Sequence, residues 1–450
     1  MMIEAISTLT SANLTRSPAW QASFSIDGKY LAVCFGNPNT HVKIWQCCKK
    51  RRSSSDGDTN KEEEEWKLLA TITQDSGGHT RSIRSVAFAP TSISYDVVPI
   101  LATASFDGKV LIWEYCNDDD DDSMQEKNNK EDTDHDNISS NSITNNEQSS
   151  SYFEAIAQLE GHDNEIKDLA WNTTGSLLAS CGRDKTIWIW ECFLPGTIGG
   201  VESSSNNMDD GEAFECLAVL QGHDGDIKSI AFGPSHNQWG EGEEILISAS
   251  YDNTIKVWAE EAGDWYCAMT LGGEDTNVPR SIPSSSSGGG IVHTSTVWCV
   301  GFAPGGVRFF SGSDDGSMAI WKLYTATERK KLFPNEQVVS STDGLWKCVG
   351  RLPDAHSSYA VFSIDCAPTR AGHGRIASAG GDNSINIYRE ESVVASGNGT
   401  SSDAPKFSLE DVAVDAHDGD VNCIKWHPRD GRCLVSCGDD GAVKLWRYIR

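Results

Sequence analysis

Four residue types recur in fixed register along the chain, and this repetition limits the fold more than any other property of the sequence. A short β-like run, a turn carrying Asp and a second β-like run ending in an aromatic appear as LATASFDGKVLIW, LLASCGRDKTIWIW, LISASYDNTIKVW, FFSGSDDGSMAIW, IASAGGDNSINIY and LVSCGDDGAVKLW, with YLAVCFGNPNTHVKIW as a weaker seventh copy. The closing aromatics are Trp45, Trp113, Trp190, Trp258, Trp321, Tyr388 and Trp446. Six residues before each stands Asp107, Asp184, Asp252, Asp315, Asp382 or Asp440, with Asn39 in the weak copy. Ten residues before stands a hydroxyl, Thr103, Ser180, Ser248, Ser311, Ser378 or Ser436, with Phe35 in the weak copy. Further upstream come His79, His162, His223, His293, His356 and His417, and the weak copy has none. A unit repeated in this way is one supersecondary element that cannot bury its apolar faces alone and must stack on its neighbours.

The pattern resembles the WD-repeat family over almost the full chain. The resemblance implies an all-β fold, a seven-bladed WD-repeat β-propeller of four-stranded antiparallel sheets packed radially round a channel. As a single propeller spanning residues 1–450, its blades are expected at about 19–72, 83–158, 166–220, 227–271, 296–351, 359–414 and 421–449. The last blade holds only three strands after His417, and residues 3–9 near the N-terminus are expected to supply its fourth, removing an open edge. In the WD-repeat family the recurring His, hydroxyl, Trp and Asp form a hydrogen-bonded bracket. In blade three that set is His162, Ser180, Asp184 and Trp190; in blade four it includes His223, Asp252 and Trp258. On paper a His between an Asp and a Ser looks like a catalytic triad, but six copies mark a structural device, since an enzyme needs one site. No phosphate loop, nucleophile elbow or metal-ligand cluster stands elsewhere, so no catalytic residue, metal or cofactor is expected.

Composition agrees with this. The formal net charge is −28, which argues against general nucleic-acid binding because phosphate neutralisation needs a basic face. No run of eighteen apolar residues exists, so no membrane span is expected. The opening MMIEAISTLTSANLTRSPAW lacks the basic region followed by an apolar run that a secretory signal needs, so a reducing compartment is expected. The 14 cysteines are scattered singly through strand-like runs, as small buried apolar residues would be, and none lies at zinc-site spacing.

Closing aromatics are spaced well beyond the roughly 40 to 45 residues of an ordinary repeat, so the surplus lies in inserts. Residues 117–150, within blade two, hold eleven acids against two lysines and are expected to be disordered, because they cannot bury enough apolar surface. Other inserts are residues 47–65, 193–211, 283–290, 324–344 and 391–405, with smaller ones at 92–98 and 236–244. All but 283–290 fall on the bottom rim, which leaves the top face as the expected contact surface. Two positions per blade should point up there. The residue before the bracket Asp gives Phe106, Arg183 and Tyr251, followed by Asp314, Gly381 and Asp439; the start of the first strand gives Trp20, Arg84, Lys167, Lys228, Trp298, Phe362 and Asn422. Arg84, Lys167, Arg183 and Lys228 edged by Trp298, Phe362 and Trp20 have the composition of a protein-interaction hot spot suited to an acidic partner.

GHTRSIRSVAFAP, SFDGKVLIWE, LEGHDNEIKDLAWNTTGSLLASCGRDKTIWIWE, GSDDGSMAIWK and LPDAHSSYAVFSIDCAP are similar to the WD-repeat subunit of the cytosolic iron-sulfur protein assembly targeting complex. That resemblance implies a non-catalytic scaffold that helps deliver iron-sulfur clusters to cytosolic and nuclear apo-proteins. Its partners would be a MIP18-type protein, a HEAT-repeat protein and iron-sulfur apo-protein clients, with no membrane or direct nucleic-acid partner. It would act in the cytoplasm and extend to the nucleus, and Arg183 would be its leading functional residue. The competing reading is a WD-repeat scaffold of a ubiquitin ligase, chromatin or signalling complex. Against it, no F-box-like helical segment precedes the repeats, and no closing Trp is followed by an Asp-x-Arg tag.

Overall fold

The computed structural model describes residues 2–10, 17–51, 62–90, 98–117, 151–193, 213–234, 244–272, 292–340, 343–368, 374–391 and 405–449. These residues form seven four-stranded antiparallel sheets. In blade three the strands Ile166–Trp171, Leu177–Gly182, Thr186–Cys192 and Phe214–Gln221 pair in chain order, and five other blades repeat that meander. The innermost strands of the seven blades are Ala19–Phe24, Ile83–Phe88, Ile166–Trp171, Ile227–Phe232, Val297–Phe302, Val361–Cys366 and Val421–Trp426. Each touches the next, and Val421–Trp426 touches Ala19–Phe24, so the ring is closed.

Closure depends on the seventh blade. There Val421–Trp426, Cys433–Gly438 and Val443–Ile449 take as their outermost strand Met2–Thr10, with Ile3 opposite Tyr448, Ala5 opposite Trp446 and Thr10 opposite Val443. This is the strand exchange expected from the sequence. The backbone N–H of Ile3 also donates to the Asp411 carboxylate in blade six, and the Thr10 hydroxyl donates to the Gly441 carbonyl at 3.0 Å. An isolated three-stranded blade would present an unpaired edge; this arrangement leaves none at the join.

Each strand alternates its side chains between the two faces of its sheet, and in the middle strands of each blade both faces pack on neighbouring blades and are apolar, whereas an outermost strand such as Phe214–Gln221 is largely exposed. The buried residues accordingly fall into seven hydrophobic clusters, one at each seam. Between blades four and five, Ile247 and Val257 meet Val297, Phe309, Trp321 and Trp346. Between blades seven and one, Val435, Cys437 and Val443 meet Ala22, Val33 and Trp45. Fully burying each large side chain contributes about 1.5–3 kcal/mol, so the seams hold the ring.

Three inserts differ from the sequence expectation. Residues 47–51 and 62–65 lengthen a hairpin: His41–Arg51 and Glu62–Thr73 stay paired from Cys47 opposite Trp66 out to Arg51 opposite Glu62, and 52–61 lie outside the described residues. Residues 324–344 carry a short helix, Ala326–Leu332, begun by a capping box in which Thr325 and Glu328 satisfy each other's backbone N–H groups. Asn117 belongs to a strand and pairs with Ser151, so the acidic insert proper, residues 118–150, lies outside the described residues. Residues 194–212, 273–291 and 392–404, which hold most of the other expected inserts, also lie outside them, as do 91–97 and 235–243.

Candidate functional site

The bracket residues meet as hydrogen-bonded chains. In blade three the Trp190 indole N–H donates to the Ser180 hydroxyl oxygen at 3.0 Å, Ser180 lies 2.9 Å from His162 Nε2, and His162 Nδ1 lies 2.7 Å from Asp184. Blade four repeats it with Trp258, Ser248, His223 and Asp252 at 2.9, 2.7 and 2.7 Å. A carboxylate facing Nδ1 fixes the proton there, so Nε2 accepts from the serine hydroxyl and each group has one consistent role. Burial alone would raise the Asp252 carboxyl, but bonds from His223, Thr254 and the Asp224 backbone outweigh it and hold it far below the ordinary carboxylate range. Thr186 and Thr254, two residues after the Asp, add hydroxyl bonds at 2.8 and 2.7 Å that the sequence pattern did not single out.

In blade five His293 Nδ1 lies 3.2 Å from Ser317 and 3.6 Å from Asp315, although the sequence pattern there is complete, and two other departures follow the sequence. In blade six Tyr388 replaces Trp and donates to the Ala355 carbonyl at 2.8 Å, leaving the Ser378 hydroxyl bonded to His356 alone among the described residues. In blade one Phe35 stacks on His41 with ring centroids 4.3 Å apart, where the other blades place their hydroxyl.

Above the brackets, one backbone feature aims the top-face side chains. In all seven innermost strands the register slips by one residue at Trp20, Arg84, Lys167, Lys228, Trp298, Phe362 and Asn422. A bulge sets two residues against one on the partner strand and turns the extra side chain out of the alternation. Here it turns all seven to the mouth of the central channel, a cavity of about 480 Å³ that all of them line. Of the second set, Arg183 and Tyr251 are exposed, with Asp314 and Asp439, while Phe106 is half-buried.

Cations and rings interleave across blades one to six. The Arg84 guanidinium lies 4.8 Å from the Trp20 ring centroid, and Lys167 Nζ lies 4.0 Å from that of Phe106. Lys228 lies between Tyr251 at 5.5 Å and Trp298 at 5.1 Å, and Trp298 meets Phe362 edge-on at 5.3 Å. Arg183 stands outside this interleaving; its side chain is 55% exposed and only reaches Glu165 at 3.7 Å. Asn422 is buried and donates to Asp439 at 2.8 Å.

Two residues here escaped the sequence reading. Glu165 takes Lys167 at 2.8 Å and Arg81 at 2.9 Å besides the longer contact with Arg183, and Arg81 also donates to the Phe106 carbonyl. Burial alone would raise the Glu165 carboxyl, yet Lys167 and Arg81 hold it below its ordinary range. Lys167 itself is held below the usual lysine range by burial, with the positive charges of Lys228 and Arg84 adding to it against the pull of Glu165. Beneath this sector the blades are tied together: Gln21 donates to Asp168 at 2.9 Å, the Val86 N–H donates to Gln21 at 2.8 Å, and the Ile230 N–H donates to Asp168 at 3.1 Å. Such ties hold a surface on rigid elements.

Comparison with known proteins agrees with this geometry. The WD domain, G-beta repeat family profile matches residues 66–114, 153–191, 214–259, 290–322 and 410–447. These stretches each end one residue past the closing aromatic of blades two, three, four, five and seven; the closing aromatics of blade one, without a bracket His, and of blade six, Tyr388, fall outside them. A "Probable cytosolic iron-sulfur protein assembly protein 1" from Chaetomium globosum is 35% identical, over 84% of this chain and 86% of the relative. The chain belongs to the cytosolic iron-sulfur protein assembly protein 1 family. Relatives of the same name from Candida albicans and Debaryomyces hansenii are 33% and 32% identical, with alignments covering 85% and 88% of those relatives. The likeness to this family extends around the ring rather than stopping at single repeats. Among the described residues of this family member, no three His, Cys, Asp or Glu side chains converge as a metal site.

Proposed function

We propose that this protein is a non-catalytic docking platform of cytosolic iron-sulfur protein assembly, gripping other proteins with its top face. Its relatives are named for that assembly, and the ring is built to present a surface. The observation that carries the reading is the seven-fold bulge: the backbone spends the same irregularity in every blade to aim one side chain at the channel mouth. The brackets, by contrast, recur in blade after blade, as internal ties of a framework do. Aromatics beside Arg and Lys are the composition of binding hot spots, and exposed Arg183 can meet a partner carboxylate with two parallel bonds where Lys would offer a point charge.

The partners proposed are a MIP18-type protein and a HEAT-repeat protein, with iron-sulfur apo-proteins as clients. The platform acts in the cytosol, and nuclear clients extend its reach to the nucleus. Affinity capture from cytosol followed by mass spectrometry tests this. Both partners are expected with the unaltered chain, and Arg183→Glu should lower their capture or that of clients at least tenfold while the melting temperature stays put. Capture of neither partner by the unaltered chain would sink the reading.

A further inference from the structure

The cations at the channel mouth outnumber the carboxylates that serve them. Arg81, Arg84, Lys167, Arg183 and Lys228 crowd one sector, and their ion pairs run to two side chains, Glu165 and Asp226. Glu165 is shared by three of the five, and Asp226 takes Lys228 at 3.2 Å. Arg84 has neither a hydrogen bond nor an ion pair among the described residues; it rests on the face of Trp20, half-buried, in the wall of the cavity. Lys167 and Lys228 line the same cavity with little of their side chains in solvent, 14% and 12%. A guanidinium carries five donors in a planar fork and cannot shed its charge, so leaving it half-buried without an acceptor is costly unless an acceptor arrives. Positive groups gathered in a low-dielectric cleft concentrate anions there, and these cations gather on a chain whose net charge is −28.

We propose that the channel mouth is a binding site for a compact oxyanion, phosphate or polycarboxylate, with Arg84 as its anchor and Lys167 and Lys228 completing it. Glu165 is a resident competitor: it holds Lys167, Arg81 and Arg183 in place while the site is empty, and it repels the incoming anion. The site builds on the docking reading, since the same face carries both, but it adds a ligand class and gives Arg84 and Arg183 different tasks. Arg84 faces the cavity and binds the ion, whereas Arg183 faces solvent and meets protein.

Calorimetric titration of the full chain with pyrophosphate, and separately with citrate, at low ionic strength tests the site. One saturable site is expected for at least one probe, and the tighter of the two identifies the anion class. Arg84→Gln should weaken binding at least tenfold and Arg183→Gln less than threefold. Glu165→Gln should tighten it about tenfold, a gain that misfolding cannot mimic. Absence of saturable binding of both probes, unchanged affinity in Arg84→Gln, or weaker binding in Glu165→Gln would overturn the assignment. The two readings separate cleanly: a chain that captures its partners yet binds neither probe loses only the anion site, and one that binds a probe yet captures no partner loses only the docking role.

Discussion

Replacing Ser248 by Ala removes one buried oxygen that serves two neighbours. Its hydroxyl accepts from the Trp258 indole at 2.9 Å and bonds His223 Nε2 at 2.7 Å, and Ser248 is fully buried. The alanine therefore strands one donor and one acceptor. Each orphaned buried group costs about 1–3 kcal/mol, which puts the loss at about 2–6 kcal/mol. Ser378 in blade six is equally buried but serves His356 alone, because Tyr388 bonds the Ala355 carbonyl instead. Ser378→Ala should thus cost about half as much, about 1–3 kcal/mol. A third variant sharpens the comparison: blade two uses Thr103 in the same place, at 2.9 Å from both His79 and Trp113, so Ser248→Thr should cost far less than Ser248→Ala. Urea unfolding followed by tryptophan fluorescence, with the slopes checked for constancy, reads all three. Equal midpoint shifts for Ser248→Ala and Ser378→Ala would refute the reasoning, because the orphaned indole would then count for nothing.

Acid should loosen the ring at the brackets. Burial pushes the Asp382 carboxyl up, but His356 and Ser384 outweigh it and bring it to about 2, from an ordinary 3.8. A carboxyl depressed by folding contributes stability above about pH 4 and loses it as pH falls towards 2, here about 2 kcal/mol, and Asp107, Asp184, Asp252, Asp315 and Asp440 shift in the same direction. Urea midpoints should therefore be flat from pH 7 to about 5 and fall steeply below 4. Gly316→Ala should destabilise by more than about 2 kcal/mol, since its φ is +74° and a Cβ there would lie 2.4 Å from the Ser357 carbonyl oxygen; a midpoint within error of the unaltered chain would contradict this. Deleting residues 1–10 should cost cooperativity and promote association through the bared edge of Val443–Ile449, measurable by light scattering.

The wheel was readable because its spokes are held by residues of fixed type at fixed spacing, and Trp, His, Ser and Asp leave a trace that varied neighbours do not blur. The weak first copy was still placed, since Trp45 kept its register after the His and hydroxyl had gone. The channel-mouth residues were findable by position, but the reason they point there was not: a bulge depends on pairing between strands, and no residue type announces it. Glu165 and Arg81 were missed for a related reason. They lie in the loops GHDNEI and GHTRSI, where the residues between His and strand follow no rule, and only the fold brings Arg81 of blade two within 2.9 Å of Glu165 in blade three. The helix Ala326–Leu332 was legible in principle, because Thr325-Ala-Thr-Glu328 spells a capping box, though its place inside an insert masked it.

That the strand Met2–Thr10 pairs with Val443–Ile449 sets an order of events during synthesis. A ribosome adding about 5–20 residues per second needs on the order of half a minute to more than a minute to travel from the first of these strands to the second. Throughout that interval the nascent chain carries an unmated β-segment, and stalling anywhere before Val443–Ile449 yields an arc instead of a circle. Chaperone demand and loss to degradation should therefore fall most heavily on products cut short within the strands Val421–Trp426, Cys433–Gly438 and Val443–Ile449, however complete their other six blades are.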